Sequence, residues 1–216
     1  MADRRLNIII YRWGHCGHFL EFLFGLDPTV YSLCGQHDRE KLYSFKDIRR
    51  QYGSWLNHHL YHCRQFGYRH QQAQTFLTQS DHTCAVLADH PFEVMNCIYP
   101  TVVNTPSVHT QFYIVQCSPE LHSVVSDQFR ERGLNNPLLP IDSDEQEQSY
   151  QQQSYQESLL LPDLKYINLD LIVNPMTFYS EYSRVARDMA VAVLDRDRVE
   201  DYYHTWRGQR FQGLTT

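Results

Sequence analysis

Along the chain, short apolar runs alternate with segments whose apolar residues recur every three or four positions. Residues 6–11 (Leu-Asn-Ile-Ile-Ile-Tyr), 29–34, 83–88 and 112–117 are β-branched or aromatic runs of buried-strand length. Residues 166–172 (Tyr-Ile-Asn-Leu-Asp-Leu-Ile) alternate and predict a fifth strand. Helical spacing lies between these runs. Phe19, Leu20, Phe22, Leu23 and Leu26 make an apolar stripe that Gly25 and Asp27-Pro28 stop. Trp55, Leu56, Leu60 and Phe66 mark another helix, while residues 67–79 are ambiguous. Pro91 suits a first helical turn and opens a helix over 92–98. Ser118-Pro119-Glu120 reads as an N-cap, a first-position proline and a first-turn acid; the helix runs to about Arg132 and Gly133 closes it. Phe178, Tyr182, Val185, Met189 and Val193 define one later helix, and residues 198–210 the last.

This alternation predicts an α/β fold with three αβα layers, a mostly parallel central sheet covered by helices on both faces. A single domain over 1–216 is expected. Residues 143–158 are acidic and Gln-rich. That composition predicts a mobile surface loop, a candidate contact for a protein partner. Sheets of this kind bind ligands beyond the carboxyl ends of their strands. Attention therefore falls on the loops at 12–18, 89–91 and 117–120.

Composition narrows the function classes. With 25 acidic against 19 basic residues, the net charge of −6 argues against broad nucleic-acid binding. No apolar run approaches the roughly 20 residues of a membrane span, and residues 1–11 lack the pattern of an export signal. A cytoplasmic location is expected, the host cytoplasm if the chain is phage-encoded. The six cysteines read as reduced thiols, most of them in apolar runs. Among the histidines, His58 and His62 share one helical face beside Cys63. His15, Cys16 and His18, or Cys34 and His37, could complete a tetrahedron with them. No second pair has a recognised finger spacing, so no metal is expected.

The first loop carries the sharpest signal. A strand, then Gly14-x-x-Gly17, then a helix presents backbone N–H groups and a favourable helix dipole to an anion. Arg12 and His18 could add charge-assisted hydrogen bonds. The alternative is that the glycines only permit a tight turn. A nucleotide P-loop continues with Lys and then Ser or Thr, where this chain has His18 and Phe19, which argues against hydrolysis of a nucleoside triphosphate.

The segment Tyr11-Arg-Trp-Gly-His-Cys-Gly-His-Phe-Leu-Glu-Phe-Leu23 resembles the start of sulfotransferase-like P-loop proteins, particularly divergent ones of bacteriophages and bacteria. Ala88-Asp-His-Pro-Phe92 resembles a strand followed by His-Pro in that group. Ile167-Asn-Leu-Asp-Leu-Ile-Val-Asn-Pro175 and Asp201-Tyr-Tyr-His-Thr-Trp-Arg207 resemble its ending. The resemblance implies a three-layer P-loop-like fold and transfer of a sulfuryl group from 3′-phosphoadenosine 5′-phosphosulfate to an unknown hydroxyl or amine acceptor. It implies that Arg12, Trp13, Gly14, His15, Cys16, Gly17, His18 and Phe19 cradle the sulfonucleotide, with Ser118, Ser126 and Arg130 near its 3′-phosphate. The family's 3′-phosphate Arg falls on Cys117 here, and Cys16 replaces a hydroxyl residue of the first loop. A non-catalytic binding or phage structural or accessory protein of the same fold is the alternative.

If the chain is catalytic, an acceptor base is needed. His90, just past a strand, is the first candidate. His18 is the second, with contact to the leaving phosphate as its more natural role. Each is alternatively a hydrogen-bonded structural histidine. The aromatic residues at 202–206 could stack on an adenine or pack in the core.

Overall fold

Residues 4–12, 15–32, 68–105, 107–131 and 145–211 are described by a computed structural model. The first strand, β1 (Arg4–Ile10), is buried along Leu6–Ile10 because it occupies the middle of a five-stranded sheet. The others are β2 (Val30–Tyr31), β3 (Cys84–Asp89), β4 (Val108–Gln116) and β5 (Lys165–Asn168). The order is β2-β3-β1-β4-β5 and every pairing is parallel. Ile8 lies opposite Leu87 on one side and Phe112 on the other.

Alternate residues of the strands feed two cores. Ile9, Val86, Tyr113, Val115 and Ile167 face one side, and Leu6, Ile8, Leu87, Phe112 and Ile114 the other. The first core is closed by α1 (Gly17–Phe24), followed later in the chain by the C-terminal helices. The second is closed by α2 (Tyr68–Gln79), through Ala73 and Phe76, and by a continuous helical segment, α3. This segment begins as Pro91–Glu93, passes through a π-helical stretch at Val94–Ile98 and ends as Tyr99–Val102. After β4 come α4 (Pro119–Glu131) and α5 (Glu145–Ser158); after β5 come α6 (Leu169–Val173), α7 (Phe178–Asp188) and α8 (Arg196–Arg210). The sheet is thus covered by helices on both faces, as the alternating pattern predicts.

Two expectations are corrected. The Gln-rich stretch is not a loop: residues 145–158 are helical, and α5 buries Ser154 and Ser158 and packs Tyr155 against the second core. Its few apolar positions are enough when a neighbouring helix, α3, supplies the rest of the contact. The strand expected over 166–172 ends at Asn168. There the Asn168 side chain accepts from the N–H groups of Asp170 and Leu171 and caps α6. Leu169, Ile172 and Val173 are then buried at helical spacing, which an alternating reading of Ile167, Leu169 and Leu171 misses. The helix expected over 55–66 and the His58/His62/Cys63 group lie outside the described residues. So do Cys34 and His37.

The aromatic residues at 202–206 divide by burial. Tyr203 stacks on Phe178 with ring centroids 3.7 Å apart, and Trp206 on Phe19 at 4.0 Å and 2° between planes. Both are core residues. Cys16, Cys84, Cys97 and Cys117 are reduced. Among the described residues, no helix is long and apolar enough to cross a membrane.

Candidate functional site

The chain leaving β1 travels through α1 towards β2, while the chain leaving β4 travels the opposite way, towards β5. Neighbouring strands whose connections diverge in this way open a crevice at their carboxyl ends. Here that place lies between Tyr11, Arg12 and His15–Gly17 on one wall and residues 117–122 on the other.

Local rules place the side chains around it. Cys16 is left-handed (φ 61, ψ 25), and its carbonyl accepts the first helical bonds from Phe19 and Leu20. His15 donates its N–H to Arg12 O at 2.9 Å, which folds the loop into a turn and sends His15 inward, where it is 3% exposed. On the other wall, Ser118 O accepts from the His122 N–H at 2.9 Å, so His122 stands in the first turn of α4 beside Cys117.

Three polar side chains meet there. His15 Nε2 is 2.9 Å from His122 Nδ1, with the rings edge-on, and 3.5 Å from Cys117 Sγ. Burial lowers the His15 pKa to about 4, helped by His122 and Arg12 and opposed by the Val115 backbone. Burial, then the Arg12 charge, also lowers that of His122. Burial and the Asp170 carboxylate raise the Cys117 thiol to about 11, against the pull of Arg12. Near pH 7 the trio is therefore two neutral imidazoles and a thiol. Arg12 itself lies over the Tyr155 ring of α5, 4.9 Å from its centroid.

The other residues singled out by sequence have different partners. Gly17 is buried, and a Cβ there would sit 1.9 Å from Tyr11 Cδ1. Its missing side chain makes room for a protein ring. Phe19 belongs to the core through Trp206. His90 packs its ring on Tyr11, at 4.5 Å between centroids, and its Nδ1 lies 3.1 Å from Tyr11 O. That contact ties the end of β3 to the end of β1. Ser118 gives both its N–H and its hydroxyl to Asp170, at 2.7 and 2.6 Å, and its Oγ also accepts from the Leu121 N–H. Trp13 and Gly14 lie outside the described residues, as do the side chains of His18, Ser126 and Arg130.

The structure thus brings Arg12 and His15 together with Cys117 and His122, and sets His90 and Gly17 against Tyr11 and Phe19 against Trp206. Sequence reasoning missed His122 and Asp170. A signal for His122 exists: four residues after the N-cap Ser118, a helical side chain returns to the capped end. Asp170 has none, because its approach to Ser118 depends on α6 forming where a strand is expected. Comparison with protein-family models, with curated proteins and with solved structures finds no match.

Proposed function

We propose that this protein is a non-catalytic binding protein on a P-loop-like α/β scaffold, whose crevice between β1 and β4 no longer receives a sulfonucleotide. The observation that carries this reading is the Asp170 carboxylate on Ser118. The resemblance offers that serine, or Ser126, to the 3′-phosphate, and a carboxylate holding both donors of Ser118 repels a phosphate. Cys117 in place of an arginine adds to the effect; one lost charge-assisted contact is worth about 1.5–3 kcal/mol. The Tyr11 ring against Gly17 works in the same direction, since it fills space that a close-approaching phosphate would use.

Sulfuryl transfer is the second reading, and one observation favours it. The guanidinium of Arg12 lies near enough to act on both His15 and His122, so the crevice retains a cation for an anionic group. Calorimetric titration with 3′-phosphoadenosine 5′-phosphate separates the readings. The expected result is no heat at high micromolar ligand, with Arg12→Ala indistinguishable from the parent. One-to-one binding that Arg12→Ala abolishes and Asp170→Asn strengthens would replace the binding-protein reading with the enzymatic one.

A further inference from the structure

The trio at the crevice is one partner short as a hydrogen-bonded cluster. If His15 Nε2 carries the ring proton, it donates to His122 Nδ1, and the Cys117 S–H gains no acceptor from either ring nitrogen at the contact. If Nε2 is bare, its single lone pair faces two donors, His122 Nδ1–H and Cys117 S–H. In that tautomer the proton moves to His15 Nδ1, which faces the Val115 backbone without a well-formed hydrogen bond. Neither tautomer satisfies every group, and buried polar atoms left unpaired are costly.

A metal ion removes the conflict, because it uses lone pairs where the protein has too many hydrogens. The donor atoms of His15, Cys117 and His122 all lie within 4.8 Å of one another. A tetrahedral zinc site, with Zn–N near 2.05 Å and Zn–S near 2.3 Å, places its nitrogens about 3.3 Å apart and nitrogen and sulfur about 3.6 Å apart. The observed 2.9 and 3.5 Å need only a small opening of the two rings to match. Two imidazoles and one thiolate suit a borderline-soft divalent ion. The donors come from both walls of the crevice, where a ligand of this topology belongs.

We propose that His15, Cys117 and His122 form a zinc-class metal site at the mouth of the crevice, with three protein ligands and a fourth position for water or an external donor. In forming it, both neutral imidazoles give a lone pair to the ion. The Cys117 S–H bond breaks, its electron pair becomes the sulfur–metal bond, and one proton passes to solvent. No electron is transferred. The complex carries a single net positive charge. Arg12 opposes that charge and the Asp170 carboxylate compensates for it; both already act on Cys117. His122 and Cys117 are only partly buried, so the fourth position faces the solvent side.

Cobalt(II), a spectroscopic substitute for zinc, tests the site in the full chain stripped of metal with chelator. The expected result is one cobalt per chain, with tetrahedral d–d bands and a thiolate-to-cobalt charge-transfer band. Zinc should displace the cobalt with no proton released, whereas zinc added to the apoprotein should release one proton per ion. Cys117→Ser should remove the charge-transfer band, and His122→Ala should weaken cobalt binding at least tenfold. His122→Ala is the safer variant for folding, because His15 is fully enclosed, and circular dichroism of each apoprotein checks that the fold is kept. Absence of the sulfur–cobalt band at millimolar cobalt overturns the proposal. So does a band that survives in Cys117→Ser, which would assign the thiolate to another cysteine. Neither result depends on whether a sulfonucleotide binds.

Discussion

Among the described residues, two of the inward-facing polar clusters follow different rules. At the end of β5, Glu181 is 5% exposed, yet both its oxygens are used. Oε1 accepts from the Asn168 N–H and Arg184 Nη2, and Oε2 accepts from Arg184 Nε. Arg184 also donates to Tyr166 O and Asp188. Burial alone would raise the Glu181 pKa, but the Arg184 and Asn168 hydrogen bonds hold it below its ordinary value. Between β1 and β4, by contrast, His15, His122 and Cys117 share too few lone pairs, and burial keeps all three neutral. A polar cluster that closes its own valences fastens secondary structure together, here α7 to β5. One that leaves a valence open has room for the metal ion proposed above.

Acid should separate the two clusters most strongly. An unfolded histidine takes up a proton near 6.5, and folded His15 only near 4. The unfolded state therefore binds more protons in that window, and stability present above pH 6.5 is lost as pH falls to 4. The full effect is roughly 3 kcal/mol, and His122 adds to it in the same direction. Urea unfolding of the metal-free protein at several pH values, compared with His15→Gln, isolates this loss. Glu181 has a depressed folded value, so its contribution is lost only further down, below the ordinary 4.5. A difference between parent and variant confined to below pH 4 would erase the contrast.

Arg184→Met comes next. It strands a buried carboxylate and should cost about 2 kcal/mol at neutral pH, less than a fully buried pair would because Arg184 is nearly half exposed. Part of that loss should return in acid as Glu181 takes up a proton. Gly17→Ala forces a methyl into the Tyr11 ring and should cost about 1–2 kcal/mol. Tyr11→Leu in the same chain should recover most of it, which a role in anion binding would not. The smallest expected effect is at the end of α7, where Ala190 is left-handed at φ 57 and Val191 donates back to Ala186 O. Ala190→Gly should raise stability by about 0.5 kcal/mol, read as a small increase in melting temperature.

Legibility followed the range of the interactions. Ile8 to Ile10 and Val86 to Ala88 announce buried parallel strands because a strand covered on both faces is apolar at every position. The start of α4 was equally plain, since Ser118 and Pro119 are local signals. The end of β5 was not. Asn168 can sit in a strand or cap a helix, and only its bonds to the next turn decide. The helix α5 escaped because a Gln-rich segment has almost no intrinsic pattern, and its order comes from packing against α3. The candidate site is half legible: Arg12 and His15 stand in the loop that the spacing marks, but His122 lies 107 residues away from His15. The spacing Gly14-x-x-Gly17 suits an anion or a tight turn alike, and the close approach of the Tyr11 ring to Gly17 has no sequence signal.

The central position of β1 has a consequence for how the chain is made. This strand is synthesised before both of its neighbours, Cys84–Asp89 and Val108–Gln116. Until Val108–Gln116 has been synthesised, Leu6–Ile10 has a partner on one flank at most, and unpaired apolar strands stick to one another. Nascent chains that stall before β4 emerge with this segment bare, and they are the form of the protein most in need of a chaperone.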